Sequence, residues 1–440
     1  MVPLALALSG GGSRAAGFHR GVVAGLREVG LLDSVGVVST VSGGSVFGAA
    51  WMAARGRGEP DEAFLERMGA ELSKGFIGRT IRPRLVKLLL PGYTRTHAIA
   101  ETFDGLFFEG LTLSGLPASP RLVMNVCVLN HGQTGKFARK GFKCVGLAPP
   151  GGGVSEWAPL PDYPVALAAA ASAAFPVGLP PVSLGRGRGG VPEGWGTTED
   201  LRRMKEFVLT DGGVLENLGI ETVLNAESEF AGWDVAASDA GAREAAWGPE
   251  GLRDRVRGWL MGALSAPVLE RIATVMNQKE DRHMRHGLFA EREKSWLVEA
   301  LREPEVAARP DLRAYLAAEP ERPARRVLMV RVNQDWDHFV RKIPRWRLLG
   351  LAADFEARTG RSAPDLPLWD DLPAKEAFLE AVGAGLGPAR EIYAAMGGAA
   401  AAERANHIPT GFSAVDPSDL KVLSDHARWQ VWANKAVYWG

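Results

Sequence analysis

The sequence predicts an α/β fold in which helices cover a parallel sheet, and the first fifty or so residues carry that prediction. A short buried strand at 4–8 is followed by a helical pattern over 15–32. A second apolar strand at 35–41 is followed by another helical pattern over 43–55. Strands that alternate with helices in this way form parallel sheets, because a parallel crossover needs a connection of helix length.

Further elements continue this pattern along the chain. Strands are predicted at 120–130, 206–211, 233–238 and 325–333. Helices are predicted at 61–74, 96–108, 163–174, 217–229, 250–280 and 285–302. Segment 184–200 is rich in glycine and lacks periodicity, so we predict a mobile loop there. We expect an α/β domain over residues 1–333 and a mostly helical extension over 334–440, packed on its core.

Composition and charge restrict the class of protein. Lys plus Arg and Asp plus Glu both number 51 in the 440 residues, so no net positive field attracts nucleic acid. Cys127 and Cys144 fit no metal or redox spacing and are expected to be reduced, buried thiols. The N-terminal apolar run lacks a basic region before it, and the apolar run at 165–182 ends in prolines. We therefore expect a soluble, cytoplasmic protein.

A glycine-rich turn follows the first strand, in the sequence LSGGGSR. Glycines allow a sharp turn that leaves amide groups pointing outward, and a helix N-terminus adds partial positive charge. Gly10, Gly11 and Gly12 are therefore predicted to form an anion site, either for a phosphate or for the oxyanion of acyl transfer. The turn lacks the Gly-Lys-Ser/Thr of a Walker loop and the glycine spacing of a dinucleotide site. An ordinary strand–helix turn is the alternative.

A second sharp turn holds Ser42 between a predicted strand and a predicted helix. The sequence TVSGGS matches part of the G-x-S-x-G elbow, which presents a serine above the sheet edge. Thr40 stands where that pattern has its first glycine, and the amide of Gly43 is a candidate oxyanion donor. Ser39 and Ser45 compete for the role of nucleophile, but they fall within the strand and the helix. An inert tight turn is the alternative.

A carboxylate ends a later predicted strand, in the sequence FVLTDGG. Asp211 stands at the carboxyl end of that strand, where open α/β sheets place their active sites. It could accept the proton of a serine directly, as a pair of nucleophile and base. None of the eight histidines stands in a context that indicates a general base, which favours a Ser–Asp pair. An Asx turn or a helix cap is the alternative.

Together, these three motifs resemble those of the patatin-like phospholipase family, and in the same order. SGGGSR resembles the family's oxyanion loop, TVSGGS its nucleophile elbow, and DGGVLENLG its aspartate motif. AAASAAFPVGLPPV is similar to the family's small-residue helix and proline-rich turn. The resemblance covers residues 4–241 and extends weakly to the strand near 330. The tail IPTGFSAVDPSDLKVLSDHARW resembles that of larger bacterial members.

This resemblance implies a three-layer patatin-type fold with a mostly parallel central sheet, helices on both faces and a helical C-terminal extension. It implies a lipid acyl hydrolase of phospholipase A or lysophospholipase type, with an acyl-enzyme intermediate and without a cofactor or metal. Thr40 and Ser9 depart from the family's usual glycine and aspartate. The resemblance implies nucleophile Ser42, base Asp211, oxyanion donors Gly10, Gly11, Gly12, Ser13 and Gly43, and supporting residues Arg14, Gly44, Gly212 and Gly213.

Two segments are candidates for peripheral contact with a membrane. Segments 81–95 and 339–351 both mix basic side chains with leucine or tryptophan, so either could rest on anionic lipid headgroups. The alternative is ordinary packing of long side chains at a domain surface. Trp429, Trp432 and Trp439 are expected to be core or interface anchors.

Three other functions stay open from the sequence. The SGGGSR turn could bind the phosphates of a nucleotide, or the fold could bind lipid without catalysis. The enzyme could also act on small esters or thioesters instead of lipids. We expect an acyl-ester lipid as the partner and no nucleic acid, while the sequence does not define the headgroup, the acyl position or the oligomeric state.

Overall fold

The centre of the molecule is a nine-stranded mixed sheet. The computed structural model describes residues 2–176, 178–225, 229–241, 284, 285, 288, 325–367 and 371–439. The strands are β1 (Leu4–Leu8), β2 (Val35–Val41), β3 (Arg121–Val128), β4 (Gln133–Ala138), β5 (Gly141–Cys144), β6 (Val182–Gly185), β7 (Glu206–Asp211), β8 (Asp234–Asp239) and β9 (Val327–Arg331).

Five strands form the parallel part of the sheet, in the order β3-β2-β1-β8-β9. β4 and β5 continue it as an antiparallel hairpin beside β3, while β7 pairs antiparallel with both β3 and β6. Every predicted strand is confirmed. β4, β5 and β6 were not predicted, because they are short and only partly apolar. Cys127 and Cys144, on β3 and β5, are free and buried as predicted.

The helices largely follow the sequence pattern. They are α1 (Gly12–Glu28), α2 (Gly43–Gly56), α3 (Asp61–Lys74), α4 (Ile77–Ile81), α5 (Arg95–Phe103), α6 (Val165–Ser172), α7 (Glu199–Arg203), α8 (Glu221–Leu224), α9 (Trp336–Arg341), α10 (Arg345–Thr359), α11 (Leu372–Ala381), α12 (Gly387–Met396), α13 (Gly398–His407) and α14 (Pro417–Tyr438). The helix predicted at 217–229 contains only α8 among its described residues. The predicted helix 250–280 lies outside the described residues, as does nearly all of 285–302.

Apolar side chains project from both faces of the sheet. The sheet is therefore the middle of three layers, with an apolar core on each side. Leu4, Leu6 and Leu8 of β1 join the core that contains α1 and α2. Ala5 and Ala7 face the other way, toward a smaller core with apolar residues of 218–235. The period of two along a strand explains this division. The predicted α/β fold class, with helices on both faces of a mostly parallel sheet, is confirmed.

A row of glycines joins the C-terminal helix to the first helix. A Cβ on Gly21 would lie 2.0 Å from the carbonyl oxygen of Ser424, and one on Gly25 would lie 2.9 Å from Val431 Cβ. α14 therefore packs closely on α1 because α1 has no side chains there. Trp429 and Trp439 are buried as predicted. A second apolar core, made of residues between 336 and 437, forms the helical C-terminal region.

The segment predicted as a mobile loop, 184–200, is fastened by one arginine. The Arg186 guanidinium donates hydrogen bonds to the carbonyl oxygens of Pro192 (3.0 Å), Trp195 (2.9 Å) and Met204 (2.6 Å). A guanidinium has five donors in a fixed fork, so one side chain can hold several turns of backbone together. The segment begins in β6 and ends in α7.

Candidate active site

Ser42 occupies a strained elbow between β2 and α2. Its φ of 52° and ψ of −122° lie in a region that residues with a side chain rarely adopt. A Cβ on Gly44 would lie 2.4 Å from the carbonyl oxygen of Leu8, and one on Gly43 would lie 2.4 Å from that of Gly12. The two glycines are therefore required because the end of β1 and the glycine-rich turn pass directly against the elbow.

Asp211 is the last residue of β7, which runs antiparallel to β3. The prediction of Asp211 from the sequence was based on a parallel strand. β4 occupies one edge of β3 from Val123 to Val128. On the other edge, β2 pairs with residues 121–125 and β7 with residues 126–128. Thus β2 and β7 meet end to end along β3. The sequence analysis placed Asp211 at the carboxyl edge of the parallel sheet, whereas the strand that carries it runs in the opposite direction.

The meeting of these two strands brings Ser42 and Asp211 into contact. Ser42 Oγ donates a hydrogen bond of 2.6 Å to Asp211 Oδ2, and Asp211 Oδ1 accepts one of 2.8 Å from the amide of Gly213. Asp211 is 1% exposed and Ser42 is 9% exposed. Burial disfavours the charged carboxylate and raises the pKa of Asp211 to about 7, although the two hydrogen bonds act against that rise. The pair combines a hydroxyl with a base whose pKa is near neutral.

The two competing serines serve the structure of the elbow. Ser39 Oγ accepts a hydrogen bond of 3.0 Å from the side-chain amide of Asn125. Ser45 Oγ bonds to Thr40 Oγ1 and to Ser172 Oγ, each at 2.8 Å. Both serines are fully buried. Of the three serines, only Ser42 has a hydrogen bond to Asp211.

Thr40, the departure from the elbow pattern, is accommodated by a glycine on the next helix. A Cβ on Gly48 would lie 2.7 Å from the methyl carbon Cγ2 of Thr40. The Thr40 hydroxyl also donates to the carbonyl oxygen of Val123 at 3.1 Å. The methyl group of Thr40 therefore packs against α2, and its hydroxyl links β2 to β3.

Two residues that the sequence analysis missed hold the elbow in place. Ser172, the last residue of α6, accepts a hydrogen bond of 3.1 Å from the amide of Ser42. Its own hydroxyl donates to the carbonyl oxygen of Asn125 at 2.6 Å. Asn125 Nδ2 donates to the carbonyl oxygen of Thr40 at 3.0 Å. The motif AAAS contains Ser172, but nothing in the sequence indicates which backbone group the hydroxyl meets.

The glycine-rich turn offers fewer free amides than the sequence predicted. The amide of Gly10 donates to the carbonyl oxygen of Asn217 at 2.9 Å, and that of Ser13 donates to Gly411 at 3.3 Å. Among the described residues, the amides of Gly11, Gly12 and Gly43 have no protein acceptor. The predicted set of oxyanion donors therefore narrows to these three glycines. Gly11 and Gly12 have φ values of 130° and 56°, which favour glycine.

A C-terminal segment, residues 408–413, lies on this turn. Gly12 approaches it so closely that a Cβ would lie 1.5 Å from the carbonyl oxygen of Thr410. Ser13 Oγ donates to the carbonyl oxygen of Ser413 at 3.2 Å. Arg14 is buried and donates to Ile408 at 3.2 Å and to Ala240, after β8, at 3.0 Å. Arg14 therefore supports the loop by joining its helix to two distant pieces of backbone.

The supporting glycines after Asp211 allow close packing of the aspartate turn. A Cβ on Gly212 would lie 2.5 Å from the carbonyl oxygen of Asn125. One on Gly213 would lie 2.7 Å from Asn217 Oδ1, and one on Gly10 would lie 2.1 Å from the same atom. The Asn217 side chain therefore sits between the glycine-rich turn and the aspartate turn. Its position in DGGVLENLG is the signal that could have identified it.

His19 makes its hydrogen bonds to residues other than Ser42, and it is uncharged at neutral pH. Its Nε2 donates to the carbonyl oxygen of Ser9 at 2.9 Å, so Nδ1 accepts from the Ser238 hydroxyl at 2.8 Å. Complete burial lowers its pKa to about 4. The Ser9 hydroxyl, at the second departure from the family pattern, accepts from the amide of Ala240 at 2.8 Å. In the part of the chain that the structure describes, no group of three metal-ligating side chains occurs.

A comparison with known families matches the part of the chain that carries these turns. A family model described as "Patatin-like phospholipase" matches residues 6–224, which include the glycine-rich turn, Ser42 and Asp211. This part of the chain is a patatin-like phospholipase domain.

Solved structures that are similar to the chain include human GIVD cytosolic phospholipase A2. The match has 14% identity and a TM-score of 0.41, and it covers 60% of this chain and 45% of that chain. The same human enzyme in complex with methyl gamma-linolenyl fluorophosphonate matches at 20% identity over 32% of this chain and 23% of that chain, with a TM-score of 0.26. The chain thus spans less than half of the length of these structures. No curated protein matches it.

Proposed function

We propose that the protein is a serine lipid acyl hydrolase that cleaves acyl esters of phospholipids or lysophospholipids through Ser42 and Asp211. The observation that carries the proposal is the hydrogen bond of 2.6 Å from Ser42 Oγ to the buried carboxylate of Asp211. Nucleophilic catalysis needs a base within hydrogen-bond reach of the hydroxyl, and this distance satisfies that requirement.

The first chemical step is attack of Ser42 Oγ on the ester carbonyl carbon. Asp211 Oδ2 takes the hydroxyl proton as the new carbon–oxygen bond forms. A pKa of about 7 suits this role, because a large fraction of the carboxyl is ionised at neutral pH and the carboxylate is more basic than an exposed one. The amide of Gly213 holds Oδ1, which leaves Oδ2 directed at the serine.

The negative charge of the tetrahedral intermediate falls on the former carbonyl oxygen. We assign its stabilisation to the amides of Gly11, Gly12 and Gly43, which have no other acceptor among the described residues. The N-terminus of α1 begins at Gly12 and that of α2 at Gly43, so both helix dipoles favour an anion there. The loss of one such donor typically reduces the rate by about 10²–10³.

The reaction is completed by three proton transfers through the same carboxyl group. Protonated Asp211 gives its proton to the leaving alkoxide oxygen, which departs as the alcohol of the lysolipid or headgroup part. Water then attacks the acyl-enzyme, Asp211 accepts a proton from that water, and collapse of the intermediate releases the fatty acid. Ser42 regains its proton from Asp211, so the cycle is balanced without a cofactor.

Fluorophosphonate labelling with peptide mapping tests the assignment of the nucleophile. The reagent transfers its phosphonyl group to an activated serine oxygen and loses fluoride. We expect label on Ser42 in the wild type, none in Ser42→Ala, and slowed labelling in Asp211→Asn. Ser45→Ala and Ser39→Ala are matched controls, because both remove a buried hydroxyl near the elbow and should keep the label on Ser42. Label on another serine, or none on the folded wild type, would contradict the proposal.

A second measurement tests the lipid substrate. Release of fatty acid from phosphatidylcholine, lysophosphatidylcholine and p-nitrophenyl esters of increasing chain length should rise with acyl length in the wild type and vanish in Ser42→Ala. A preference for two- to four-carbon acyl groups would indicate a small-ester hydrolase instead.

A further inference from the structure

Exposed apolar side chains occur on α4 and in the segment that joins α4 to α5. We define the apolar ridge as Ile77, Leu85, Val86, Leu89 and Leu90. Val86 and Leu89 are 79% and 83% exposed, and the other three members are between 52% and 60% exposed. Single exposed apolar residues are common on proteins, but a cluster of five within fourteen residues is typical of an interaction surface.

Ion pairs attach the segment that carries the apolar ridge to α5. Arg84 Nε lies 2.8 Å from Glu101 Oε2, and Lys87 Nζ lies 3.1 Å from the same carboxylate. Arg84 also donates to the carbonyl oxygens of Arg79 and Thr80 at 3.3 Å. These contacts attach the segment to α5 while Val86 and Leu89 remain exposed to solvent.

The second candidate segment, 339–351, has the opposite arrangement. Val340 and Ile343 are fully buried and Leu348 is 1% exposed. Its apolar side chains belong to the helical C-terminal core, and only Leu349 among them is largely exposed. The sequence could not separate the two segments, because both mix basic and apolar residues. The structure favours the first of them.

Charge indicates what covers the apolar ridge. Residues 76–95 contain five basic side chains and no acidic one; Arg79 pairs with Glu71, and Arg84 and Lys87 pair with Glu101, so five positive charges face two negative ones and the surface stays net positive. Arg82 is exposed at the foot of the ridge, and neither an ion pair nor a hydrogen bond is found for it among the described residues. A basic rim around protruding leucine and valine side chains complements an anionic lipid surface, in which headgroups meet the charges and acyl chains accept the apolar groups. We propose that the apolar ridge docks the protein on an anionic bilayer.

The position of the apolar ridge connects it to the site described above. Phe76 and Phe103, on either side of the ridge in the chain, both pack against Phe412, with ring centroids 6.3 Å and 5.7 Å away. Phe412 belongs to segment 408–413, which lies on the glycine-rich turn. At the other end, the Thr96 hydroxyl donates to the carbonyl oxygen of Pro180, in the turn that follows α6. Both sides of the ridge therefore adjoin elements that hold the elbow and the oxyanion loop.

Vesicle flotation tests the proposal directly. The purpose of docking rests on the proposed function, but binding does not need catalysis, so all variants are made in the full chain carrying Ser42→Ala. Vesicles are phosphatidylcholine alone or phosphatidylcholine with 30% phosphatidylglycerol, as an experimental choice of about one anionic lipid in three. The ridge variant is Val86→Ser with Leu89→Ser. The matched control is Val154→Ser, because Val154 is 80% exposed at a different place.

We expect the protein to float with anionic vesicles, and the ridge variant to lose about tenfold or more in affinity, because two apolar side chains no longer leave water. Val154→Ser should bind as the parent does. Arg82→Glu should weaken binding to the anionic vesicles while leaving the weak binding to neutral vesicles unchanged. Equal binding by the ridge variant and the parent, or no binding by either, would overturn the proposal.

Two further measurements distinguish membrane docking from dimer formation and from a failure of the proposed catalysis. A concentration-dependent dimer that the ridge variant abolishes would show that a second copy covers the apolar ridge, and would overturn the membrane proposal. In chains that retain Ser42, the ridge variant should hydrolyse a monomeric p-nitrophenyl ester at the parental rate and lose activity on vesicles only. If the ester is not hydrolysed but vesicle binding is as expected, the proposed catalysis fails and the docking surface stands.

Discussion

The amide of Ser42 donates a hydrogen bond to the hydroxyl of Ser172, 130 residues further along the chain, at 3.1 Å. This contact holds the backbone of a residue whose φ of 52° is unfavourable, so the elbow depends on α6 as well as on its own glycines. The Ser172 hydroxyl is in turn fixed by the carbonyl oxygen of Asn125 at 2.6 Å. The position of the nucleophile is therefore decided by three separate parts of the chain.

Replacement of Ser172 by alanine should reduce kcat about tenfold with little change in KM, because the elbow loses its support while the lipid site is unaltered. A buried amide without an acceptor also costs about 1–3 kcal/mol in the free energy of unfolding. Steady-state kinetics and urea unfolding measure the two effects. Ser34→Ala is the control, since it removes a hydroxyl bond of 2.6 Å at the other end of β2 and should leave kcat unchanged. A fall in stability without a fall in kcat would assign Ser172 a purely structural role.

The pH dependence of kcat/KM should report the pKa of Asp211. The carboxyl must be ionised to accept the serine proton, so kcat/KM should decline below a pH of about 7, by about tenfold for each further pH unit. Asp211→Asn should lower the rate by about 10²–10⁴ and remove this limb from any residual activity. A rate profile measured at saturating and at low substrate tests this. A limb centred near pH 4 would mean that the carboxyl titrates like an exposed one.

The raised pKa of Asp211 also predicts how the free energy of unfolding depends on pH. The folded state binds the Asp211 proton more tightly than the unfolded chain, with a pKa of about 7 against 3.8. The unfolded state therefore releases this proton first as pH rises, and the contribution of Asp211 to the free energy of unfolding should fall between about pH 4 and pH 7. Asparagine cannot titrate, so the difference in stability between Asp211→Asn and the wild type should shift in favour of the variant over this window. A difference that is independent of pH would contradict the raised pKa.

Thr40 and Gly48 should behave as a coupled pair. A Cβ on Gly48 would lie 2.7 Å from Thr40 Cγ2, so Gly48→Ala should destabilise the protein by about 1–3 kcal/mol. Thr40→Ser removes the methyl group and keeps the hydroxyl bonds to Ser45 and Val123. In that background, alanine at position 48 should be neutral or stabilising by up to about 1 kcal/mol, because alanine favours the helix. Additive effects in the double-mutant cycle would show that the two sites are independent.

Gly12 should tolerate no side chain. Alanine there meets the carbonyl oxygen of Thr410 and requires a φ of 56°, so Gly12→Ala should displace either the oxyanion turn or segment 408–413. We expect fluorophosphonate labelling to slow by about 10² or more, the effect of losing one oxyanion donor. Gly78→Ala is the control, since a Cβ at Gly78 meets no atom within 4 Å. Unchanged labelling in Gly12→Ala would exclude this turn from the oxyanion site.

Several features of the fold follow from local sequence. Alternating strand and helix patterns predicted β1, α1, β2 and α2 closely, because apolar periodicity and glycine content act over a few neighbouring residues. The sharp strand–helix turn at Ser42 also belongs to this level, whereas the requirement for glycine at 43 and 44 comes from the backbones of Leu8 and Gly12, which lie against the elbow. The candidate nucleophile Ser42 was therefore visible in fifteen letters of sequence.

Other features required long-range pairing that no local pattern reports. The direction of β7 could not be predicted, because a strand of six residues with a short apolar centre is compatible with either orientation beside β3. The loss of Gly10 and Ser13 as free amides depends on Asn217 and Gly411, which lie about 200 and 400 residues away in the chain. The contacts of Ser172 and Asn125 could not be predicted for the same reason, because their hydrogen bonds join parts of the chain that only folding brings together.

The sequence by itself determined the order of the first two strands and the first two helices, the sharp turns at Gly10–Gly12 and Ser42, and the presence of a carboxylate at the end of a strand. Those features depend on the backbone freedom and the apolar spacing of adjacent residues. Tertiary structure alone decided that β2 and β7 meet end to end, which amides stay available, and that Val86 and Leu89 face outward while Val340 and Leu348 are buried. These outcomes depend on which surfaces pack together, and similar local compositions can be buried or exposed according to that packing.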